Sequence, residues 1–122
     1  MTIMTQPEPT YKRGDVVLVL FPHSNLKTAK VRPALIVQAN DLQTNLPQFI
    51  VAMITSRLFR ADHPSRVLIQ LGTPEGKGSG LLTDSVVMTD NLATIAESET
   101  DRRIGTFPMK GVDVALRHTL GL

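Results

Sequence analysis

The chain has 122 residues, 42% of them apolar and 20% charged, with a formal net charge of +2 and no cysteine. That length and composition suit one domain with a buried core and exclude wholesale disorder. Disulfides and thiolate chemistry are excluded too, and His23, His63 and His118 lack the spacing of metal ligands.

Met1–Thr10 has neither a basic start nor an apolar core, and it carries Pro7 and Pro9 among polar residues. Residues 1–11 are therefore expected to be a flexible leader rather than a signal peptide, ahead of one domain over residues 12–122. Nor does any apolar run reach the length that spans a bilayer.

The turn residues Arg13-Gly14-Asp15 precede Val16–Phe21, an unbroken β-branched apolar run that predicts a buried strand. Pro22–Val31 is polar and basic and reads as a loop. Pro33–Gln38 is a second short strand, with proline allowed at its first position. Asn40–Pro47 is a loop, Gln48–Thr55 a third strand, Ser56–Ser65 a basic loop and Arg66–Leu71 a fourth strand. Gly72–Gly80 is glycine-rich and reads as a loop; no Lys-Ser/Thr pair follows it, so it is not a phosphate-binding P-loop. Ser85–Thr89 and Leu92–Ala96 are two short strands separated by the turn dipeptide Asp90-Asn91. Glu97–Arg103 is charged and turn-like, and Ile104–Phe107 is a last strand. Val112, Ala115, Leu116, Thr119 and Leu120 then share one face of a helix, with Pro108 before it and Gly121 just past its end. Many short strands and one terminal helix predict a mainly β (α+β) chain, a small barrel or strongly bent sheet capped by that helix.

Basic residues gather in two stretches. Lys12, Arg13, Lys27, Lys30 and Arg32 face only Asp15; Arg57, Arg60 and Arg66 stand with His63 and one acid, Asp62. Charge by itself reads most simply as a solvated surface, but basic loops also suit a polyanion. There is no nucleophile elbow. Three features carry chemistry. Arg32 is a permanently charged planar fork at the entry to a strand. Thr55 and Ser56 are hydroxyls at a strand exit, able to orient a phosphate or ribose. Asp90 is an acid between two strands, able to act as a base or to read a base edge. Each also has a plain structural explanation as a surface ion pair, a turn cap or a turn dipeptide.

The order of these pieces resembles the PemK/MazF toxins. Lys12-Arg13-Gly14-Asp15-Val16-Val17 looks like the family's opening, and Val31-Arg32-Pro33-Ala34-Leu35-Ile36-Val37 like its Arg-Pro strand. Val51–Ser56 resembles the third motif, an apolar strand ending in Thr. Asp84–Val87 with Leu92–Ile95 resembles the later strand pair, and the helix ending Leu120-Gly121-Leu122 also fits. The resemblance implies an SH3-like barrel of the PemK/MazF/CcdB type, a two-fold homodimer and a cytoplasmic protein. It implies an endoribonuclease that cuts single-stranded RNA without metal or cofactor, commonly leaving a 2′,3′-cyclic phosphate. The implied catalytic set is Arg32, Thr55 and Asp90, with RNA contacts from Lys27, Thr28, Lys30, Ser56, Arg57 and Arg60. The implied protein partner is an antitoxin whose acidic disordered tail folds over the basic groove.

The chain departs from the family where Leu26-Lys27-Thr28 replaces a stretch that often carries a carboxylate. Ala93 stands where an Arg is common, and Met88 where some members place an Arg ahead of the acid. The general acid and base are therefore left open. A binding protein without chemistry, of the gyrase-poison type or a degenerate toxin that only holds an antitoxin, is the alternative. Against the gyrase-poison form, the chain has no Trp and ends Thr119-Leu120-Gly121-Leu122.

Overall fold

The computed structural model describes residues 11–22 and 29–122. Most of the expected leader, His23, Lys27 and Thr28 lie outside the described residues. Six strands, β1 (Asp15–Pro22), β2 (Ala29–Ile36), β3 (Gln48–Thr55), β4 (Arg66–Ile69), β5 (Ser85–Ala96) and β6 (Thr100–Thr106), form one sheet in the order β4-β5-β3-β2-β1-β6. Every neighbouring pair is antiparallel. The sheet is open, since β4 and β6 are its two edges. The class is α+β, mainly antiparallel sheet with a C-terminal helix.

The unbroken apolar runs follow from burial on both faces. Val16, Leu35, Ala52, Ile54 and Val87 pack in one cluster, while their chain neighbours Val17, Ala34, Ile36, Val51, Met53, Val86 and Met88 pack in the other. Helix α2 (Lys110–Leu120) covers the first cluster through Val112, with Leu116 and Met109 packed against it. Gly121, left-handed at φ 70°, ends the helix, and the Leu122 N–H donates to the Arg117 carbonyl at 3.0 Å. Full burial of a side chain such as Leu35 contributes about 1.5–3 kcal/mol.

The turn before β1 is a compact lock. Gly14 has φ 92°; its N–H donates to the Ile36 carbonyl and its carbonyl accepts from the Phe107 N–H, both at 2.9 Å. Asp15 is buried and accepts the Lys12 N–H at 2.8 Å. Tyr11, placed with the leader on sequence grounds, meets Phe49 edge-to-face at 5.7 Å.

Several boundaries differ from the sequence reading. Strand β2 begins at Ala29, because β1 supplies a ladder partner for the polar residues too, as in Phe21 with Lys30. Strand β6 begins at Thr100, so only Glu97–Glu99 is a turn. Pro74–Gly78, expected as loop, is a short helix α1, capped by the Thr73 hydroxyl accepting the Gly76 N–H at 3.1 Å. Most consequential, β5 is one strand rather than two. Its pairing with β3 jumps from Met53–Met88 to Ala52–Leu92, which leaves Thr89, Asp90 and Asn91 as a bulge. The turn dipeptide bends the strand there without ending it.

Candidate functional site

Where β2 and β3 part company, a cavity opens. The two strands pair only over Ala34–Met53, Leu35–Ala52 and Ile36–Val51. The β1–β2 ladder, in contrast, runs on through Pro33 to Ala29. Pro33 has no N–H to donate, and the ladder that stops beside it is the one toward β3. Carried one step further, the register would set Pro33 opposite Ile54, and one more would set Arg32 opposite Thr55. The ladder stops short of both, and the Arg-Pro motif and the strand-end threonine line the gap together.

The cavity holds about 580 Å³. Its floor is buried or half-buried and apolar, from Leu18, Pro33, Ile54, Leu81 and Ile104. Its rim is exposed and cationic, from Lys30, Arg32, Arg57 and Arg102. Among the described residues the ion pairs are Arg13–Asp113, Arg66–Asp90 at 2.6 Å and Arg103–Asp15 at 3.7 Å. None of them involves a rim cation, and no carboxylate or imidazole is among the described lining residues. Like charges gathered over an apolar floor favour an anion there.

Thr55 is half-buried, and its hydroxyl accepts the Arg57 N–H at 3.2 Å. That bond turns the chain out of β3 and sets Arg57 on the rim. A hydroxyl that accepts from the backbone still has its own proton to donate. The far wall is the segment from α1 to β5, and glycines set how close it comes. At Gly80, φ is 74° and a Cβ would collide with the Ile104 carbonyl; at Gly105, a Cβ would collide with the Ser79 backbone. The wall is pinned further by Asp84, which accepts the Leu71 N–H at 2.8 Å.

The structure thus brings Lys30, Arg32, Thr55, Ser56 and Arg57 to one cavity. Lys27 and Thr28 lie outside the described residues. Arg60 and Asp90 do not line it. Arg60 sits over the Phe59 ring, with its guanidinium carbon 5.7 Å from the centroid. Asp90, in the β5 bulge, accepts two hydrogen bonds from Arg66, from Nε at 2.8 Å and a terminal nitrogen at 2.6 Å. That donated fork holds the Asp90 carboxyl below the usual carboxylate range and raises Arg66 above its own. The residue that sequence reasoning missed is Arg102. It alternates with Arg103, which turns away to Asp15, while Arg102 and Ile104 face the cavity. This two-residue period was the available signal, hidden because the segment read as a turn. Among the described residues no three His, Asp or Glu side chains gather as a metal-binding group. No helix there is long and apolar enough to cross a membrane.

Residues 12–118 match a family described as PemK-like, MazF-like toxin of type II toxin-antitoxin system. Among solved structures, the chain is similar to an endoribonuclease from a mycobacterial species, at 23% identity and a TM-score of 0.69, over 96% of this chain and 97% of that one. It is similar to a mycobacterial endoribonuclease in complex with its cognate antitoxin, at 25% identity and a TM-score of 0.69, over 92% and 96% of the two chains. A MazE–MazF structure from Deinococcus radiodurans shares 18% identity at a TM-score of 0.67, over 93% and 98%.

Proposed function

Because this chain belongs to the PemK-like, MazF-like toxins of type II toxin-antitoxin systems, we propose that its cavity cleaves single-stranded RNA without a metal ion. The observation that carries this reading is that Arg32 and Thr55 line one cation-rimmed cavity. The 2′-hydroxyl of one ribose attacks the adjacent phosphorus and gives its proton to solvent; the bond from phosphorus to the 5′-oxygen of the next nucleotide breaks, that oxygen takes a proton from solvent, and a 2′,3′-cyclic phosphate remains. Negative charge grows on the non-bridging oxygens in the phosphorane. Arg32 meets that charge with a planar fork, and the Thr55 hydroxyl donates a hydrogen bond to the same phosphate. Lys30, Arg57 and Arg102 hold the neighbouring backbone, and Ser56 adds a polar contact. An unpaired strand is favoured because its bases can splay apart over the surface.

Asp90 receives a different part here from the base or base reader expected on sequence grounds. Its two oxygens are committed to Arg66, and a carboxylate with a lowered pKa is a weaker base. We read it as the anchor of the turn after β3. The protein partner of this reading is an antitoxin with an acidic disordered tail that folds onto the same cation rim. One structural relative is a complex with its cognate antitoxin. A cytoplasmic two-fold homodimer is the working form.

Long single-stranded RNA incubated in EDTA with wild type, Arg32→Ala and Thr55→Ala, followed by mapping of product ends, tests the reading. Discrete cuts with cyclic phosphate ends are expected, with a loss of about 10²–10³-fold in Arg32→Ala. Cuts that require a divalent ion, or that persist in Arg32→Ala, would sink it. A second reading, a binding module without chemistry, is favoured by the lack of carboxylate or imidazole among the described lining residues. RNA binding without any cut selects that one.

A further inference from the structure

Just beyond the cavity, the chain leaves β3 in a single 3-10 turn, Leu58–Ala61, which displays an aromatic ring to solvent. Phe59 is 75% exposed. Among the aromatic side chains described, Tyr11 and Phe49 are half-buried and Phe107 is buried, so Phe59 stands apart. An apolar ring held in water has no role in the core of this domain.

The turn is held by side-chain as well as backbone hydrogen bonds. The Arg60 N–H donates to the Arg57 carbonyl at 3.1 Å, and the Arg60 carbonyl accepts from an Arg66 guanidinium nitrogen at 2.9 Å. Arg66 is itself gripped by Asp90. Arg60 lies over Phe59 and reaches the Met88 sulfur at 3.8 Å. Asp90, Arg66 and Arg60 thus form a chain of contacts from the β5 bulge to the base of the ring. Phe59 is two residues from Arg57, whose side chain lines the cavity, so at most about 7 Å of backbone separates them.

We propose that Phe59 is a stacking platform for a nucleobase adjoining the phosphate held at Arg32 and Thr55, with Asp90 as a positioning residue acting through Arg66. The inference rests on the RNA reading above and adds to it a base contact outside the cavity. The occupant is a base of single-stranded RNA because an exposed ring beside a cationic groove is what such strands bind. The rim takes the backbone and the ring takes a π-face, whatever the base. Arg60 over the same ring adds charge near the stacked base.

The test uses the full chain and a 2′-O-methylated mixed-sequence oligoribonucleotide, which lacks the attacking hydroxyl, beside inorganic polyphosphate, which has charge but no bases. Phe59→Ala is expected to weaken the oligoribonucleotide about five- to a hundred-fold and to leave polyphosphate binding as in wild type. Phe59→Trp is expected to bind as wild type. Its indole would be the only one in the chain, and its fluorescence should change when the oligoribonucleotide, but not polyphosphate, is added. Asp90→Ala should weaken the oligoribonucleotide alone, and much less so in the Phe59→Ala background. Equal loss for both ligands, unchanged oligoribonucleotide affinity, or conversion of a dimer to a monomer by Phe59→Ala would each overturn the proposal. If wild type binds no oligoribonucleotide at all, or binds it equally well with Arg32→Glu, the RNA reading itself fails. Dependence on Arg32 without dependence on Phe59 removes the stacking site alone.

Discussion

The two ends of the β2–β3 pair contrast sharply. At one end, Ala34–Ile36 keep their ladder to β3, and their neighbours are sealed under α2 or the opposite cluster. Beside it, Arg13 is satisfied by the Val37 carbonyl at 3.0 Å and by Asp113. At the other end the ladder stops, the strands separate, and the rim cations have no carboxylate partner among the described residues. The same two strands therefore supply the core at one end and an open, cation-rimmed cavity at the other. One missing proline N–H marks the border. The proposed function puts ligand chemistry in the second half and leaves stability to the first, and substitutions should separate them.

The largest expected effect lies in the sealed half. Leu35→Ala removes a fully buried side chain and should cost about 2–5 kcal/mol in urea denaturation. A loss below about 1 kcal/mol would mean that this half relaxes as easily as the open one. In the open half, Arg102→Ala should leave the denaturation midpoint where it is and weaken single-stranded RNA. The slope of log affinity against log salt should become shallower by about 0.7, the value of one phosphate contact. An unchanged salt slope would remove Arg102 from the backbone contacts.

The smallest effect concerns the Asp90–Arg66 anchor, which belongs to neither half. Asp90 titrates below its unfolded value in the folded chain, so its contribution is full above about pH 4 and is lost as pH falls through the lowered value. The stability gap between wild type and Asp90→Asn should therefore be constant at neutral pH and close in acid. A gap that widens in acid would contradict the ion pair.

Much of this contrast could be read from residues alone. The apolar runs announce β1 and β3, the helical spacing of Val112, Ala115 and Leu116 announces α2, and Arg32 and Thr55, distinct in sequence, line one cavity in the fold. Reading failed where tertiary pairing overrode local chemistry. Lys30 and Val31 look like loop but lie against β1. Asp90-Asn91 has the chemistry of a turn but sits in a bulge within one long strand. Arg102 was hidden because charged residues at an edge strand resemble a turn until their alternation is noticed. Phe59 gave no sign at all, since nothing in its neighbours distinguishes an exposed ring from a buried one.

The glycines of the cavity wall have an evolutionary consequence. Gly80 and Gly105 are pressed against backbone that no side chain can displace, so variation there is penalised by loss of the fold. The rim is built differently: Lys30, Arg32, Arg57 and Arg102 are exposed and belong to neither core cluster. Substitutions on that rim carry little cost in stability. Around a fixed Arg32, such a scaffold can diversify what it recognises through Lys30, Arg57 and Arg102, one exposed residue at a time, while the frame behind the groove is held nearly constant.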